Sequence, residues 1–371
     1  MDPVFNSTEM ARYQRHFALP GFGTAGQDRL RQSTVLVIGA GGLGCPALLY
    51  LAAAGVGRIV LVDPDVVETS NLQRQVLFTL ADVGEAKVVA AARRLTALNP
   101  LVRIDARRER FSRANALAMV ADCDVVVDGS DNFSTRYPVN DACVMGEKPF
   151  VYGAVQAFEG QLSVFNWRGG PTYRCLFPEP PPPGTVPNCA EGGVLGVLPG
   201  LIGTGQACET IKLLAGIGEP LSGRLLLWDA LTMATHVVAL AADPRSRPVR
   251  ELPPEGYGET CAGPEEPPAE IDSNELRAAL ARTPALQLID VREGWERAMG
   301  AINPSLHIPL GALERGLAGS ALATLDPRAP TIVYCAAGVR SLRAAQILRE
   351  RHDFRAPTSL RGGYQIWARE S

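Results

Sequence analysis

Cys335 closes the apolar run Thr331-Ile-Val-Tyr334 and is followed by Ala-Ala-Gly338-Val-Arg340-Ser341, after which a helical pattern resumes over Leu342–Arg351. A cysteine in such a tight strand-to-helix turn can serve as a thiolate or a persulfide. Backbone N–H groups converge on the sulfur, and the helix N-terminus and Arg340 add positive potential, which is expected to lower the thiol pKa. A second set of chemical residues lies far upstream. Gly39, Gly41 and Gly44 form G-x-G-x-x-G, with Gly42 inside it, between the apolar run Val35–Ile38 and the apolar stretch Pro46–Ala54. Strand, glycine turn and helix in that order let a phosphate approach the backbone at a helix N-terminus. Asp63 ends the next apolar strand, Arg58–Asp63, where an acid can hold a ribose hydroxyl. This much says nucleotide, with NAD and ATP both open.

Between the two sets lies the polar segment Ser70-Asn71-Leu-Gln-Arg74-Gln75. Loops of this kind carry function, and Asn71, Arg74 and Gln75 could reach a phosphate or a ribose. Lys87, one of only three lysines beside 33 arginines, opens the helix Ala86–Leu98. A cation there opposes the helix dipole, which points either to a partner anion or to a solvated side chain. Asp128 ends the buried strand Asp124–Asp128 and is followed by Gly129-Ser130-Asp131-Asn132. Ligands bind at the carboxyl ends of strands in open α/β sheets. Asp131 could hold Mg²⁺ through triphosphate oxygens, cap the helix Ser134–Val144, or do both. Arg12, Arg15 and His16 fall within one helical turn and read as a basic face. Cys189, at the end of the proline-rich stretch Phe177–Gly193, is either a nucleophile or a bystander.

The elements that must position these residues follow from periodicity. Residues 9–32 are helical with a turn at Pro20–Gly23, Val102–Asp105 is an edge strand, and Ser112–Ala121 is a helix. Pro149–Gly153 is a further buried strand. Gly160–Asn166 alternates and so pairs antiparallel, giving a mixed α/β sheet. A helix Gly205–Leu214 and a strand Arg224–Asp229 complete this part. Residues 243–269 hold seven prolines and three glycines among charges, the composition of a linker. A second α/β unit over 270–371 contains a helix Ser273–Ala281 and a strand Leu286–Asp290 ahead of the cysteine loop.

Composition bounds the reading. A chain of 371 residues, 46% hydrophobic and 20% charged, is an ordinary globular protein of two or three domains. A net charge of −3 argues against nucleic acid as a partner. The uncharged run Ser33–Gly57 is long enough to span a membrane, but GAGGLG and Pro46 break it into strand, turn and helix. With no apolar signal core at the N-terminus and no regular cysteine framework, a cytoplasmic chain with reduced thiols is expected.

Taken together, RYQRH, GAGGLG, Asp63-Pro-Asp65, SNLQRQ, GEAK, DGSDN and LLAGIGEPLSGRLLLWDA resemble the MoeB/ThiF adenylyltransferases, relatives of ubiquitin-activating enzymes. LIDVRE, CAAGVRS and LRGGYQIW resemble a rhodanese domain, and the fusion is similar to MoeZ-type adenylyltransferase–sulfurtransferases. The resemblance implies a Rossmann-like adenylation domain over 1–242, the linker 243–269 and a smaller rhodanese domain over 270–371. It implies ATP rather than NAD. Gly39, Gly41, Gly42 and Gly44 approach the nucleotide, Asp63 holds the ribose, and Arg74 and Lys87 hold phosphates. Asn71, Gln75 and Asn132 assist, and Asp131 positions Mg²⁺. Arg15 matches an arginine that reaches across a homodimer interface. The implied partner is a ubiquitin-like sulfur-carrier protein ending in Gly-Gly, activated as an acyl-adenylate and then attacked by a Cys335 persulfide. Cys189 matches the adenylation-domain cysteine that links to the carrier or resolves the disulfide. The sulfur donor is thiosulfate or a cysteine-desulfurase persulfide. Many relatives bind structural zinc through two CxxC pairs. Here the first is Thr172-Tyr-Arg-Cys175 and the second is missing, so no structural zinc is expected. The alternatives are a sulfurtransferase whose first domain only binds the carrier, an NAD-dependent oxidoreductase, and a conjugating system.

Overall fold

The computed structural model describes residues 4–180, 193–246, 249–254, 257, 268–283 and 285–370. These form two compact units, Met1–Thr260 and Cys261–Ser371. The proposed nucleophile or resolving residue Cys189 lies outside the described residues, as does most of the proline-rich stretch.

The first unit is built on an eight-stranded sheet. Its helices and strands in chain order are α1 (Ser7–Phe17), α2 (Gly23–Gln32), β1 (Thr34–Ile38), α3 (Gly44–Ala54), β2 (Arg58–Val62), α4 (Lys87–Leu98), β3 (Arg103–Arg107), α5 (Ala116–Ala121), β4 (Val125–Asp128) and α6 (Phe133–Met145). Then come β5 (Phe150–Gln156), β6 (Glu159–Phe165), α7 (Tyr173–Leu176), α8 (Val197–Ala215), β7 (Arg224–Asp229) and β8 (Thr235–Ala239). The strand order is β3-β2-β1-β4-β5-β6-β7-β8. The first five strands are parallel and the last three add antiparallel, so the sheet is mixed as expected. In β1, Val35, Leu36 and Val37 are fully buried, as strands covered on both faces must be. One core layer gathers α3, α4 and α8 on one face; the other holds Tyr137, Phe150, Tyr152, Phe165 and Tyr173 on the opposite face.

Several elements differ from their sequence expectations, among them β8, which adds an edge strand after the one expected to complete this unit. Asn115 Oδ1 accepts from Ser112 N–H at 2.8 Å, a local turn that delays α5 to Ala116. The helix expected over Gly205–Leu214 begins at Val197, running through Gly200, Gly203 and Gly205. Those glycines lower helix propensity, but two of them permit contact: a Cβ on Gly203 would lie 2.2 Å from the Leu43 carbonyl oxygen, and one on Gly205 2.8 Å from Leu162. Part of the proline-rich segment after β8 packs on this unit. Leu252 is buried beside Phe111 and Tyr137, and its carbonyl accepts from Arg113.

The second unit carries β9 (Glu270–Ile271), α9 (Ser273–Arg282), β10 (Gln287–Asp290), α10 (Gly294–Ala298), β11 (Leu306–His307), α11 (Leu310–Glu314), α12 (Gly319–Leu322), β12 (Thr331–Tyr334), α13 (Val339–His352), β13 (Thr358–Leu360) and α14 (Gly363–Arg369). Its sheet, β11-β10-β12-β13-β9, is parallel throughout. Asp272 caps α9 by accepting from Glu275 N–H at 2.9 Å. Among the described residues, no helix is long and apolar enough to cross a membrane.

Candidate active sites

The turn after β1 is shaped by what its glycines exclude. Gly39 has φ +93°, and a Cβ there would lie 2.9 Å from the Gly129 carbonyl oxygen. A Cβ on Gly44 would fall 1.9 Å from the Gly39 carbonyl oxygen. Gly41 is different: its nearest neighbour would be 3.8 Å away. Gly39 and Gly44 therefore close the turn, while Gly41 leaves space above it. Gly42 packs against Pro199 and Arg74.

That space is a cavity of about 300 Å³ at the carboxyl ends of β1, β2 and β4. Gly39, Gly41, Gly42, Asp63, Asn71, Arg74, Gln75, Lys87, Asp131 and Asn132 all line it. Gly44 lies behind the turn. Asp63 is buried and already engaged: its Oδ2 accepts from Ala40 N–H at 2.7 Å and its Oδ1 from Asp65 N–H at 2.8 Å. Burial pushes its carboxyl above the ordinary range, against the opposing pull of Lys87 and those two N–H groups. Lys87 Nζ lies 3.1 Å from Asp65 Oδ2, and the lysine side chain is 8% exposed against 62% for the aspartate. The lysine at the start of α4 is thus a cavity-wall cation, not a solvated one. Gln75 is buried, and its Oε1 has no hydrogen-bond partner among the described residues. Arg74 Nη1 donates to the Ser70 carbonyl at 3.2 Å.

The choice left open at Asp131 is decided by its neighbour. Asn132, not Asp131, caps α6: its Oδ1 accepts from Thr135 N–H at 2.9 Å. Asp131 is exposed and keeps a carboxylate at the cavity, where it accepts from Asn132 Nδ2 at 3.3 Å. Arg15 lies on an exposed face of α1 and does not line the cavity. Two residues absent from the sequence reading belong here. Arg110 lines the cavity. Arg136, on α6, is buried against Asp128 beneath the Gly129–Asn132 loop, with Nε to Oδ2 at 3.1 Å. Arg110 closes the charged run Arg107-Arg108-Glu109-Arg110, which reads as a solvated stretch, and Arg136 stands in no glycine turn that would have marked it.

At the other site, Cys335 ends β12 and its side chain is buried. Gly338 N–H points at Sγ from 3.1 Å, and Ser341 Oγ is 3.6 Å away. The LRGGYQIW segment holds the loop from behind. Tyr364 N–H donates to the Cys335 carbonyl at 2.7 Å and Gln365 N–H to the Ala336 carbonyl at 3.0 Å. A Cβ on Gly363 would lie 2.3 Å from that Cys335 oxygen. Arg340 forks onto Glu296, with Nη1 to Oε2 at 2.8 Å and Nη2 to Oε1 at 2.6 Å. The cation expected to act on the sulfur is therefore matched by a carboxylate. In LIDVRE, Asp290 binds Arg292 at 2.8 Å and accepts from Tyr334 Oη at 2.8 Å, joining the ends of β10 and β12. Elsewhere burial pushes the Cys45 and Cys123 thiols up to about 12, so neither is a nucleophile.

The zinc positions have a different occupant. Cys175 Sγ accepts from the N–H groups of Thr172 and Asp243, each at 3.2 Å, and lies 3.1 Å from Ser246 Oγ and 3.5 Å from Thr172 Oγ1. Thr172-x-x-Cys175 thus faces Asp243-x-x-Ser246 as two CxxC pairs would, with one sulfur among them. This set does not fit a tetrahedral zinc site. Burial works to raise the Cys175 thiol, but the hydroxyls and N–H groups outweigh it and hold the thiol below its ordinary value. Among the described residues, no three His, Cys, Asp or Glu side chains gather as a metal ligand set.

The ThiF family profile matches residues 13–249, and the rhodanese-like domain profile matches 272–370. The chain belongs to the ThiF family and ends in a rhodanese-like domain. It is similar to the probable adenylyltransferase/sulfurtransferase MoeZ of Mycobacterium tuberculosis, 44% identical over 98% of this chain and 93% of that protein. The sulfur carrier protein adenylyltransferase of Thermus thermophilus is 54% identical, over 64% of this chain and 89% of that protein. The crystal structure of E. coli MccB with MccA-N7isoASN matches in fold, with a TM-score of 0.57 and 23% identity over 64% of this chain and 74% of that one. The ThiF-family chain is accordingly an enzyme of the adenylyltransferase/sulfurtransferase kind.

Proposed function

We propose that this chain adenylylates the C-terminal Gly-Gly carboxylate of a small ubiquitin-like sulfur-carrier protein with ATP, then delivers sulfur to it from a Cys335 persulfide. The observation that carries this reading is the cavity beside Gly41, where Arg74, Lys87 and Asp131 converge in a chain that also presents the Cys335 loop. NAD would use the glycine turn and Asp63 but has no need of two cations and a free carboxylate at one wall.

In this reading Gly41 admits the phosphates, and Asp63 shapes the turn while remaining within reach of a ribose. Asn71 and Gln75 add polar contacts, among them Gln75 Oε1, which has no partner among the described residues. Arg74 and Lys87 face the charge that develops as the carrier carboxylate attacks the α-phosphorus and pyrophosphate leaves. Mg²⁺ accompanying the nucleotide would neutralise phosphate charge, and Asp131 is the residue that would hold it. Arg15, away from its own chain's cavity, would serve a second subunit's site in a homodimer.

The terminal sulfur of a Cys335 persulfide then attacks the acyl carbon and displaces AMP, leaving an acyl disulfide. A second thiol, Cys189 or one from solution, attacks the Cys335 sulfur. It forms a new disulfide and releases the carrier thiocarboxylate. Residues 1–242 and 270–371 act as the two catalytic domains, with 243–269 as the tether. A reducing compartment such as the cytoplasm keeps the thiols available.

The test is ligand-dependent melting together with pyrophosphate exchange. Mg·ATP should raise the melting temperature and NAD should not, and carrier should switch on exchange. Stabilisation by NAD alone would favour an oxidoreductase, and binding of carrier without exchange would reduce the first domain to a docking module.

A further inference from the structure

Beneath the Gly129–Asn132 loop lies a buried polar scaffold that takes no direct part in the chemistry proposed above. Arg136 projects from the first turns of α6 and is 6% exposed. Its Nε lies 3.1 Å from Asp128 Oδ2. Its Nη2 donates to the Ser130 carbonyl at 2.9 Å and the Gly153 carbonyl at 3.4 Å. The guanidinium lies over the Tyr152 ring, 5.0 Å from its centroid. Asp128 completes the clamp from the other side, accepting from Ser130 N–H at 2.9 Å and Ser130 Oγ at 2.5 Å. Gln206 Nε2 donates to the Asp128 carbonyl at 2.6 Å and the Val151 carbonyl at 3.1 Å, tying α8 to the same point.

The loop so held does two things. Its Gly129 abuts the glycine turn, where a Cβ would lie 2.9 Å from the Ile38 carbonyl oxygen and 3.0 Å from that of Gly39. One residue past Ser130, it presents Asp131 to the cavity. A buried ion pair adds little stability over apolar residues of the same shape. Fixing a unique backbone geometry is what a forked guanidinium does well, because its donors are planar and rigid.

We propose that Arg136 is a positioning residue for the adenylation site: by clamping Asp128 and Ser130 it sets where Asp131 meets the metal–nucleotide. The proposal rests on the adenylation reading. Arg136 does not line the cavity and acts through the loop that carries Asp131.

The experiment measures Mn²⁺ binding to the full chain by electron paramagnetic resonance, with a non-hydrolysable ATP analogue present and melting followed in parallel. Arg136→Lys keeps the charge but not the fork. It should weaken Mn²⁺–nucleotide binding by about tenfold, roughly one lost charge-assisted contact. Asp131→Asn should weaken it at least as much, and the double variant should be no worse than Asp131→Asn alone, because the two residues act in series. Normal binding in Arg136→Lys, or additive losses in the double variant, overturns the proposal. If Arg136→Lys melts below the assay temperature, Ser130→Ala removes the side-chain half of the loop's hold on Asp128, leaving the Ser130 N–H contact, and must show the same defect in smaller measure; normal binding there overturns it equally. A wild-type chain that binds no metal–nucleotide overturns the adenylation reading itself, an outcome distinct from a variant-only result.

Discussion

Arg340 and Glu296 meet as a two-pronged ion pair, 2.8 and 2.6 Å, beside the sulfur of Cys335. The cysteine loop Cys335–Ser341 holds no other charged residue. An anionic donor such as thiosulfate therefore meets a cation already matched by a carboxylate. Replacing Glu296 by Gln keeps the shape and releases the charge. Glu296→Gln should speed both Cys335 alkylation by iodoacetamide and sulfur uptake from thiosulfate by about three- to fivefold, the scale of one partly exposed charge contact. Unchanged or slower rates in a variant that remains folded at the assay temperature would show that the pair does not restrain the sulfur site.

The same pair makes a pH prediction. Burial works to raise the Glu296 carboxyl, but the Arg340 fork and the Glu293 N–H prevail and hold it below the ordinary glutamate range. A depressed folded-state value means that the contribution to stability is complete above the unfolded pKa of about 4.3 and is lost as pH falls through the lower folded value. Calorimetry of the full chain should give a wild-type advantage over Glu296→Gln that is constant from pH 7 to about 5 and shrinks below the unfolded value. An advantage that grows on acidification would contradict this.

Lys87 gives the sharpest test at the nucleotide cavity. It pairs with the exposed carboxylate of Asp65 and also favours the ionised form of the buried Asp63, so Lys87→Met removes a cation from the cavity wall and leaves Asp63 more readily protonated. Pyrophosphate exchange should fall by about a hundredfold or more, the cost of removing one aimed electrostatic group, while the melting temperature stays within a few degrees. Exchange within threefold of wild type would remove Lys87 from the mechanism.

Cys175 stands where a metal would be the hub. Two N–H donors, from Thr172 and Asp243, and the hydroxyls of Thr172 and Ser246 surround its sulfur. Chelators should leave the melting temperature of the wild type unchanged. The triple substitution Thr172→Cys, Asp243→Cys and Ser246→Cys should bind one zinc per chain, with Co²⁺ giving the absorption of a tetrahedral thiolate site. Stoichiometric zinc in the wild type would refute this account, as would failure of a folded triple variant to take metal.

These tests rest on residues of unequal visibility in the sequence. The glycine turn was legible because Gly39 and Gly44 answer to local backbone constraints that any such strand-turn-helix shares. The mixed sheet was legible from the change of period at Gly160. Arg136 was not, since burial of a cation depends on Asp128, Ser130 and Gly153, which local pattern does not bring together. The start of α8 was hidden because Gly200, Gly203 and Gly205 read as loop, and the reason for Gly203 and Gly205 is the tertiary approach to Leu43 and Leu162. At Asp131, the cap and the cavity competed, and only the Asn132–Thr135 hydrogen bond separates them. The Arg340–Glu296 pair spans 44 positions and has no local signature at either end.

The central claim is that one site makes an adenylate and the other supplies the sulfur that displaces it. The direct measurement is the mass of a Gly-Gly-ended carrier protein after incubation with this chain, Mg·ATP and thiosulfate, run beside pyrophosphate exchange. The wild type should convert the carrier to the species in which one oxygen is replaced by sulfur. Cys335→Ala should abolish that change while leaving exchange intact. Carrier thiolation persisting in Cys335→Ala, or exchange disappearing with it, would contradict the division of labour between the two sites.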